Sequence, residues 1–302
     1  MPIYIQPDSC DIIQIISAKK GMKKGGKPLK IYINDDFDQE KIRISGQAFR
    51  IRLMDDGSYR YIHKGKVLYV RKIKGTEYDV SCGKKDWDSI WTEYFDLGRK
   101  YKRIRQSINK DDKFLKESAD AGKGIRILKQ DPFEMLITFI ISQRKNIPAI
   151  MASVEKICRL FGDKIVNPRS GSADDNETIY AFPTPEQLFN ADEEKLKTCS
   201  LGYRLPYIQD AATRVCDGRL NLTHIDSLSD EDLFEKLKEV HGVGDKVSNC
   251  ICLFGYGRVA MAPVDTWIKK VIDEEYGGIN PFPGYGKNAG IMQQYMFYHA
   301  RM

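Results

Sequence analysis

The chain is poor in the ingredients of a metal centre. Its four histidines, His63, His224, His241 and His299, are widely scattered. Its seven cysteines, Cys10, Cys82, Cys158, Cys199, Cys216, Cys250 and Cys252, contain no Cys-x-x-Cys pair, which excludes zinc-finger and iron–sulfur spacings. Such cysteines suit free thiols in a reducing compartment better than a disulfide framework. Long hydrophobic runs are also missing: the most apolar stretch, Leu136 to Ile141, is far too short to span a bilayer, so no membrane partner is expected. The opening MPIYIQPDSCD lacks the charged-then-apolar layout of a signal peptide, and an intracellular protein is expected. There is no internal repeat and no low-complexity tract.

What is present is ordinary folded material. A chain of 302 residues, 42% hydrophobic and 30% charged, can bury a large core in two packed units. Its net charge of +6 fits a polyanionic partner without requiring one. Short alternating runs, QAFRIRL, SYRYIH, KVLYVRKI and EYDVSC, fill residues 47 to 82 and predict an antiparallel meander. Ahead of them KKGMKKGGKPLK, residues 19 to 30, carries six lysines and no acid; a solvated loop is the simplest reading.

From about residue 115 the hydrophobic period turns helical. Asp131-Pro132-Phe133-Glu134 supplies an N-cap, a first-turn proline and a carboxylate, ahead of MLITFII. Thr184-Pro185-Glu186-Gln187 repeats the device, and Ser229 with Asp232 starts a helix whose Leu233, Leu237 and Val240 share a face. NPRSGSADDNET, residues 167 to 178, reads as a surface loop. The fold class is therefore α+β: an N-terminal antiparallel sheet domain with flanking helices, residues 1–116, then a helical domain, residues 117–302.

One turn in the helical part carries chemistry. HGVGDK, residues 241 to 246, separates the run ending at Val240 from VSNCICLF. Gly242 and Gly244 permit a sharp turn whose amides, with the N-terminus of the next helix, can hold a phosphate without reading sequence. A plain helix–helix turn fits the same pattern. Lys246 falls in the first turn of the second helix, where the helix dipole disfavours a protonated amine and so favours a nucleophile. Asp265 sits just before a further helix. In isolation it reads as a cap, but a carboxylate near a reactive lysine also suits cleavage of an N-glycosidic bond, where positive charge develops on the sugar.

The stretch LKEVHGVGDKVSNCICLFGYGRVAMAPVDTWI resembles the helix-hairpin-helix, Gly/Pro-rich, Asp signature of base-excision glycosylases, in particular the 8-oxoguanine DNA glycosylases that carry the lysine. GQAFRIR, WTEYFDL, GIRILKQDPFEMLITFIISQRKNI, IYAFPTPEQL, LGYR and AGIMQQYMF look like further segments of that family, in the family's order. The likeness runs from about residue 46 onward, with the hairpin at about 230–255 and the aspartate loop at 260–266. It implies a bifunctional enzyme that flips 8-oxoguanine out of duplex DNA, removes it through a lysine Schiff base and can nick the strand by β-elimination.

The resemblance also implies roles. Lys246 matches the lysine that attacks C1′, and Asp265 the aspartate that assists base departure. Gly46 matches the glycine whose carbonyl accepts from N7–H of 8-oxoguanine, Cys250 and Phe297 the residues on either face of the base, and Gln293 the reader of its Watson–Crick edge. Alone, Cys250 and Phe297 read as core residues and Gly46 as a turn. Tyr203 and Arg204 match a wedge tyrosine and a cytosine-holding arginine; His241, Gly242 and Gly244 match the phosphate grip. Arg144 and Asn146 fall in the loop that faces the opposite strand. No cofactor is implied beyond a structural cation at the hairpin, held by the carbonyls of Lys238, Val240 and Val243, and the expected species is a monomer acting on DNA that contains 8-oxoguanine.

Three departures bear on the substrate. Arg144 replaces an asparagine that fills the gap left by the flipped base, Ala149 replaces a second cytosine-reading arginine, and Trp267 replaces a histidine that contacts the backbone. Losing one base contact weakens discrimination by ~1–3 kcal/mol, so relaxed opposite-base preference is expected. Two alternatives are an alkylpurine glycosylase of the same superfamily, disfavoured by Lys246, Gly46 and Gln293, and a noncatalytic hairpin DNA-binding protein, disfavoured by Lys246 together with Asp265.

Overall fold

The computed structural model describes residues 28–169 and 177–302. Five antiparallel strands, β1 (Leu29–Tyr32), β2 (Arg52–Leu53), β3 (Tyr59–His63), β4 (Lys66–Lys74) and β5 (Glu77–Val80), form one sheet in the order β1-β5-β4-β3-β2. The four expected runs are all strands, the first reduced to two residues. Their alternation places Tyr61, Leu68, Val70, Tyr78 and Val80 on one buried face against Trp87, Trp91 and Phe95.

β1 departs from the sequence reading. Residues 19–27 of the lysine-rich segment lie outside the described residues, but Leu29 and Lys30 pair with Val80 and Asp79, and Lys30 Nζ meets Glu77 at 2.5 Å. The strand buries only Ile31 among its four residues, so its sequence carries too little alternation to stand out. The expected loop at 167–178 is described only at its ends, where Glu177 pairs with Arg52 and Arg60, both at 2.8 Å.

The helical part is built around the helix Pro132–Ser142, buried continuously from Phe133 to Ile141. Asp131 caps it by accepting from the N–H groups of Phe133 and Glu134, Thr184 forms both arms of a capping box with Gln187, and Ser229 caps Asp230–Lys238, as their sequences imply. Against the central helix runs the second hairpin helix, Asp245–Gly255, antiparallel, with Gly255 close to Pro132 and the rings of Phe139 and Phe254 stacked at 5.5 Å.

The two parts interlock. The division expected at 116/117 falls inside the helix Lys113–Ala121, which packs on the last helix, Ala289–His299. Phe49 belongs to the helical core and Leu128 to the sheet core. Arg126, fully buried, donates to the carbonyls of Phe95, Asp36, Asp96 and Arg99 and pairs with Asp35 at 3.1 Å. Gln47 is pinned by the same strap: its side chain bonds Ser45, the Arg126 carbonyl and the Leu128 N–H. Gly46 is thereby delivered from the sheet domain to the helical site.

Candidate active site

The hairpin turn is made by glycine chemistry at one position and by exposure at the other. Gly242 has φ +83°, and a Cβ there would collide with the ring of Tyr207. Gly244 has open space around it and an extended backbone; it caps Asp245–Gly255 without a side-chain bond. The first backbone bond of that helix is Ser248 N–H to the Gly244 carbonyl, so the amides of residues 245–247 have no intrahelical partner, the arrangement by which a helix N-terminus can take an anion. The Val240 carbonyl accepts from Val243 N–H at 3.0 Å and keeps a second lone pair, which is compatible with the hard-oxygen cation site expected from Lys238, Val240 and Val243. Among the described residues no group of His, Cys, Asp and Glu could hold a metal.

Lys246 is half-buried in the first turn, its Nζ 5.1 Å from the centre of the Phe139 ring. Cys250 is one turn on and buried, and the charge of that amine reaches its thiol. Burial pushes the Cys250 thiol up; Lys246 opposes this and the charge of Asp265 adds to it. The net upward shift leaves a neutral thiol, a packing surface rather than a competing nucleophile. Asp265 caps Thr266–Glu275 as its position implied, with Oδ1 accepting from Ile268 N–H at 2.9 Å. Its second carboxylate oxygen makes no hydrogen bond among the described residues and stays available to a developing positive charge.

The last helix carries two more of the expected site residues. Gly290 lets it press against the loop before Asp265: its N–H donates to the Val259 carbonyl at 2.8 Å, and a Cβ there would strike Met261 and Leu253. Gln293, 3% exposed, and Phe297 follow on this helix. Gln293 Oε1 accepts from Gln294 at 3.2 Å, leaving its NH2 group unspent among the described residues. Gly46, at φ +79°, abuts the Phe297 edge so closely that a Cβ would lie 2.9 Å from Cε1.

A second cluster forms the rim. Tyr203, the expected wedge, is exposed, with the Arg204 guanidinium 4.3 Å above its ring. Arg204 itself is buried and donates to the carbonyls of Gln143 and Leu201, so the protein already uses much of its donor capacity. Arg144 is exposed and held at φ +51°, while Asn146 spends Oδ1 capping the helix Ile147–Phe161. His241 is exposed, its N–H bonded to Asp210 at 2.9 Å and its ring packed edge-on to Tyr207. Trp267 is exposed.

Three contributors escape sequence reasoning. Tyr207 joins wedge to hairpin, touching both Tyr203 and His241. Gln143 ties the same parts together: Nε2 donates to the Gly242 carbonyl at 3.0 Å while its own carbonyl holds Arg204. Arg301 stands over Phe297 at 4.9 Å. Tyr207 and Arg301 each follow a recognised site aromatic by four residues, the one signal that could have found them.

A hairpin with open amides, a first-turn lysine and a capping aspartate, the last two both acting on Cys250, fit a base-excision repair protein of the helix-hairpin-helix class. Family models agree: residues 30–136 match the N-terminal domain of 8-oxoguanine DNA glycosylase, and residues 137–287 match the HhH-GPD superfamily of base excision DNA repair proteins. The chain belongs to the 8-oxoguanine DNA glycosylase family. Among its relatives is a protein of Methanothermobacter thermautotrophicus named "Probable N-glycosylase/DNA lyase", 32% identical over 63% of this chain and 68% of that one. The N-glycosylase/DNA lyase of Saccharomyces cerevisiae is also 32% identical, over 65% of this chain and 53% of that one. The 8-oxoguanine glycosylase/lyase of Clostridium acetobutylicum, solved with double-stranded DNA bearing cytosine opposite 8-oxoguanine, superposes with a TM-score of 0.86 at 34% identity, covering 97% of this chain and 98% of that one.

Proposed function

We propose that this chain is a bifunctional 8-oxoguanine glycosylase and abasic-site lyase acting on duplex DNA. The observation that carries the reading is the chain of contacts among three elements: Lys246 and Asp265, whose charges both reach Cys250, and Gly46 against Phe297, over which stands Arg301, itself reached by the charge of Asp265.

The hairpin amides hold a phosphate and set the register of the strand. Tyr203 enters the stack as the nucleotide swings out, a step that costs a few kcal/mol. The base lodges between Cys250 and Phe297, with Gln293 on its edge and the Gly46 carbonyl at N7. Guanine has a bare acceptor at N7 and 8-oxoguanine an N–H, so this carbonyl repels one and attracts the other. The neutral amine of Lys246 attacks C1′. The C1′–N9 bond breaks, its electron pair leaves with the base, and the base takes up a proton, while Asp265 steadies the positive charge on the sugar. Opening of the sugar ring gives the imine. Loss of a C2′ proton then expels the 3′-phosphate, which nicks the strand.

The rim supports relaxed choice of the opposite base. Ala149 can make no base contact, and Arg204 is spent largely on Gln143 and Leu201. Single-turnover excision of 8-oxoguanine paired with C and with A tests both parts. Rates within about tenfold are expected, from the loss of a contact worth ~1–3 kcal/mol. A hundredfold preference for C contradicts the relaxed choice; removal of alkylated purines but not 8-oxoguanine contradicts the substrate.

A further inference from the structure

Arg301 follows the last helix and is exposed. Its guanidinium carbon is 4.9 Å from the centre of the Phe297 ring, and Nη1 lies 3.3 Å from the point where a Cβ on Gly46 would sit. One long bond, 3.4 Å from Nη1 to the Ile44 carbonyl, is the only side-chain hydrogen bond it makes among the described residues. It forms no ion pair there, and the acid whose charge reaches it is Asp265. Four of its five N–H donors are therefore unspent, on a side chain already set over an aromatic ring.

A cation set this close to Asp265 works against the stabilisation of a positive sugar unless an anion accompanies it. The nucleotide brings one. The proposed partners of the base lie deeper in, at the buried Gln293 and at Gly46, whereas Arg301 is exposed and so open to the sugar–phosphate chain. Neither Asp265 nor the exposed Trp267 at the start of the neighbouring helix offers a donor cation for that chain.

We propose that Arg301 is a phosphate clamp, binding a phosphodiester that flanks the flipped nucleotide and so fixing C1′ against Lys246. This rests on the pocket being the site of a flipped nucleotide. The guanidinium presents parallel donors to two phosphate oxygens, which an aliphatic ammonium cannot match.

The test is binding of a duplex carrying a tetrahydrofuran abasic analogue, which has the phosphates but no base, measured across salt for wild type, Arg301→Ala and Arg301→Lys. The alanine variant is expected to bind several-fold more weakly at low salt, with a slope of log K against log salt shallower by about 0.9. The lysine variant is expected to restore the slope. An unchanged slope in Arg301→Ala overturns the clamp, and so does a defect seen with 8-oxoguanine duplex but absent with the analogue, which assigns Arg301 to the base. A wild-type protein that does not prefer the analogue over undamaged duplex overturns the clamp together with the pocket it depends on.

Discussion

In the proposed mechanism Gly46, by a single missing carbon, helps to select the substrate. Its left-handed backbone and its contact with Phe297 both require glycine, and the strap through Gln47 and Arg126 holds its carbonyl in place. Gly46→Ala is expected to cost ~1–2 kcal/mol of stability from the positive φ alone. The new methyl displaces Phe297, the proposed stacking partner of the base. Excision of 8-oxoguanine should therefore fall by at least tenfold, while nicking of a preformed abasic site, which puts no base in the pocket, should persist. Paired rate measurements on the two substrates check this; an equal loss on both contradicts a base-selecting role.

At the scale of elements, the hairpin and wedge form one unit through Tyr207 and Gln143. Gly242→Ala forces a Cβ into Tyr207 at a positive φ, and the damage should spread from the phosphate grip to the wedge. Weaker binding of undamaged duplex together with a slower flipping step, read by a fluorescent base analogue, is the expected pair of effects. A second element-scale prediction concerns Glu134, in the first turn of the central helix and buried. Burial pushes its carboxyl from the ordinary 4.5 up to about 7, with Arg50 of the sheet domain opposing the shift. A raised carboxyl holds its proton longer in the folded state than in the unfolded. The stability it contributes is thus complete below about 4.5 and is lost as pH rises through about 7. Denaturant titrations should show a decline in stability over that window in wild type, reduced in Glu134→Gln.

The sequence marks these elements unevenly. Caps at Asp131, Thr184 and Ser229 are local signals, because a side chain and an amide three residues away suffice to make them, and all three hold in the structure. Lys246 and Cys250 sit on one helical face for the same local reason. Arg126, Gln47 and Tyr207 act through contacts between distant parts of the chain, and nothing in their neighbourhoods announces it. Arg204 and Asn146 look free in sequence, yet the fold spends Arg204 on carbonyls and Asn146 on a helix cap.

For the whole molecule, the interlocked halves divide the labour. In the proposed mechanism the sheet domain contributes Gly46 to the base site, and the helical part supplies nucleophile, acid and phosphate grip. A net charge of +6 is modest for a partner as anionic as DNA, so binding should rest on a few placed contacts rather than a broad basic field. The most direct test of the account is borohydride trapping on a duplex containing 8-oxoguanine, with the cross-linked peptide sequenced. A covalent protein–DNA adduct mapping to Lys246, and abolished in Lys246→Gln, is the predicted result. Excision of the lesion with no trappable adduct, or an adduct on a different residue, would contradict it.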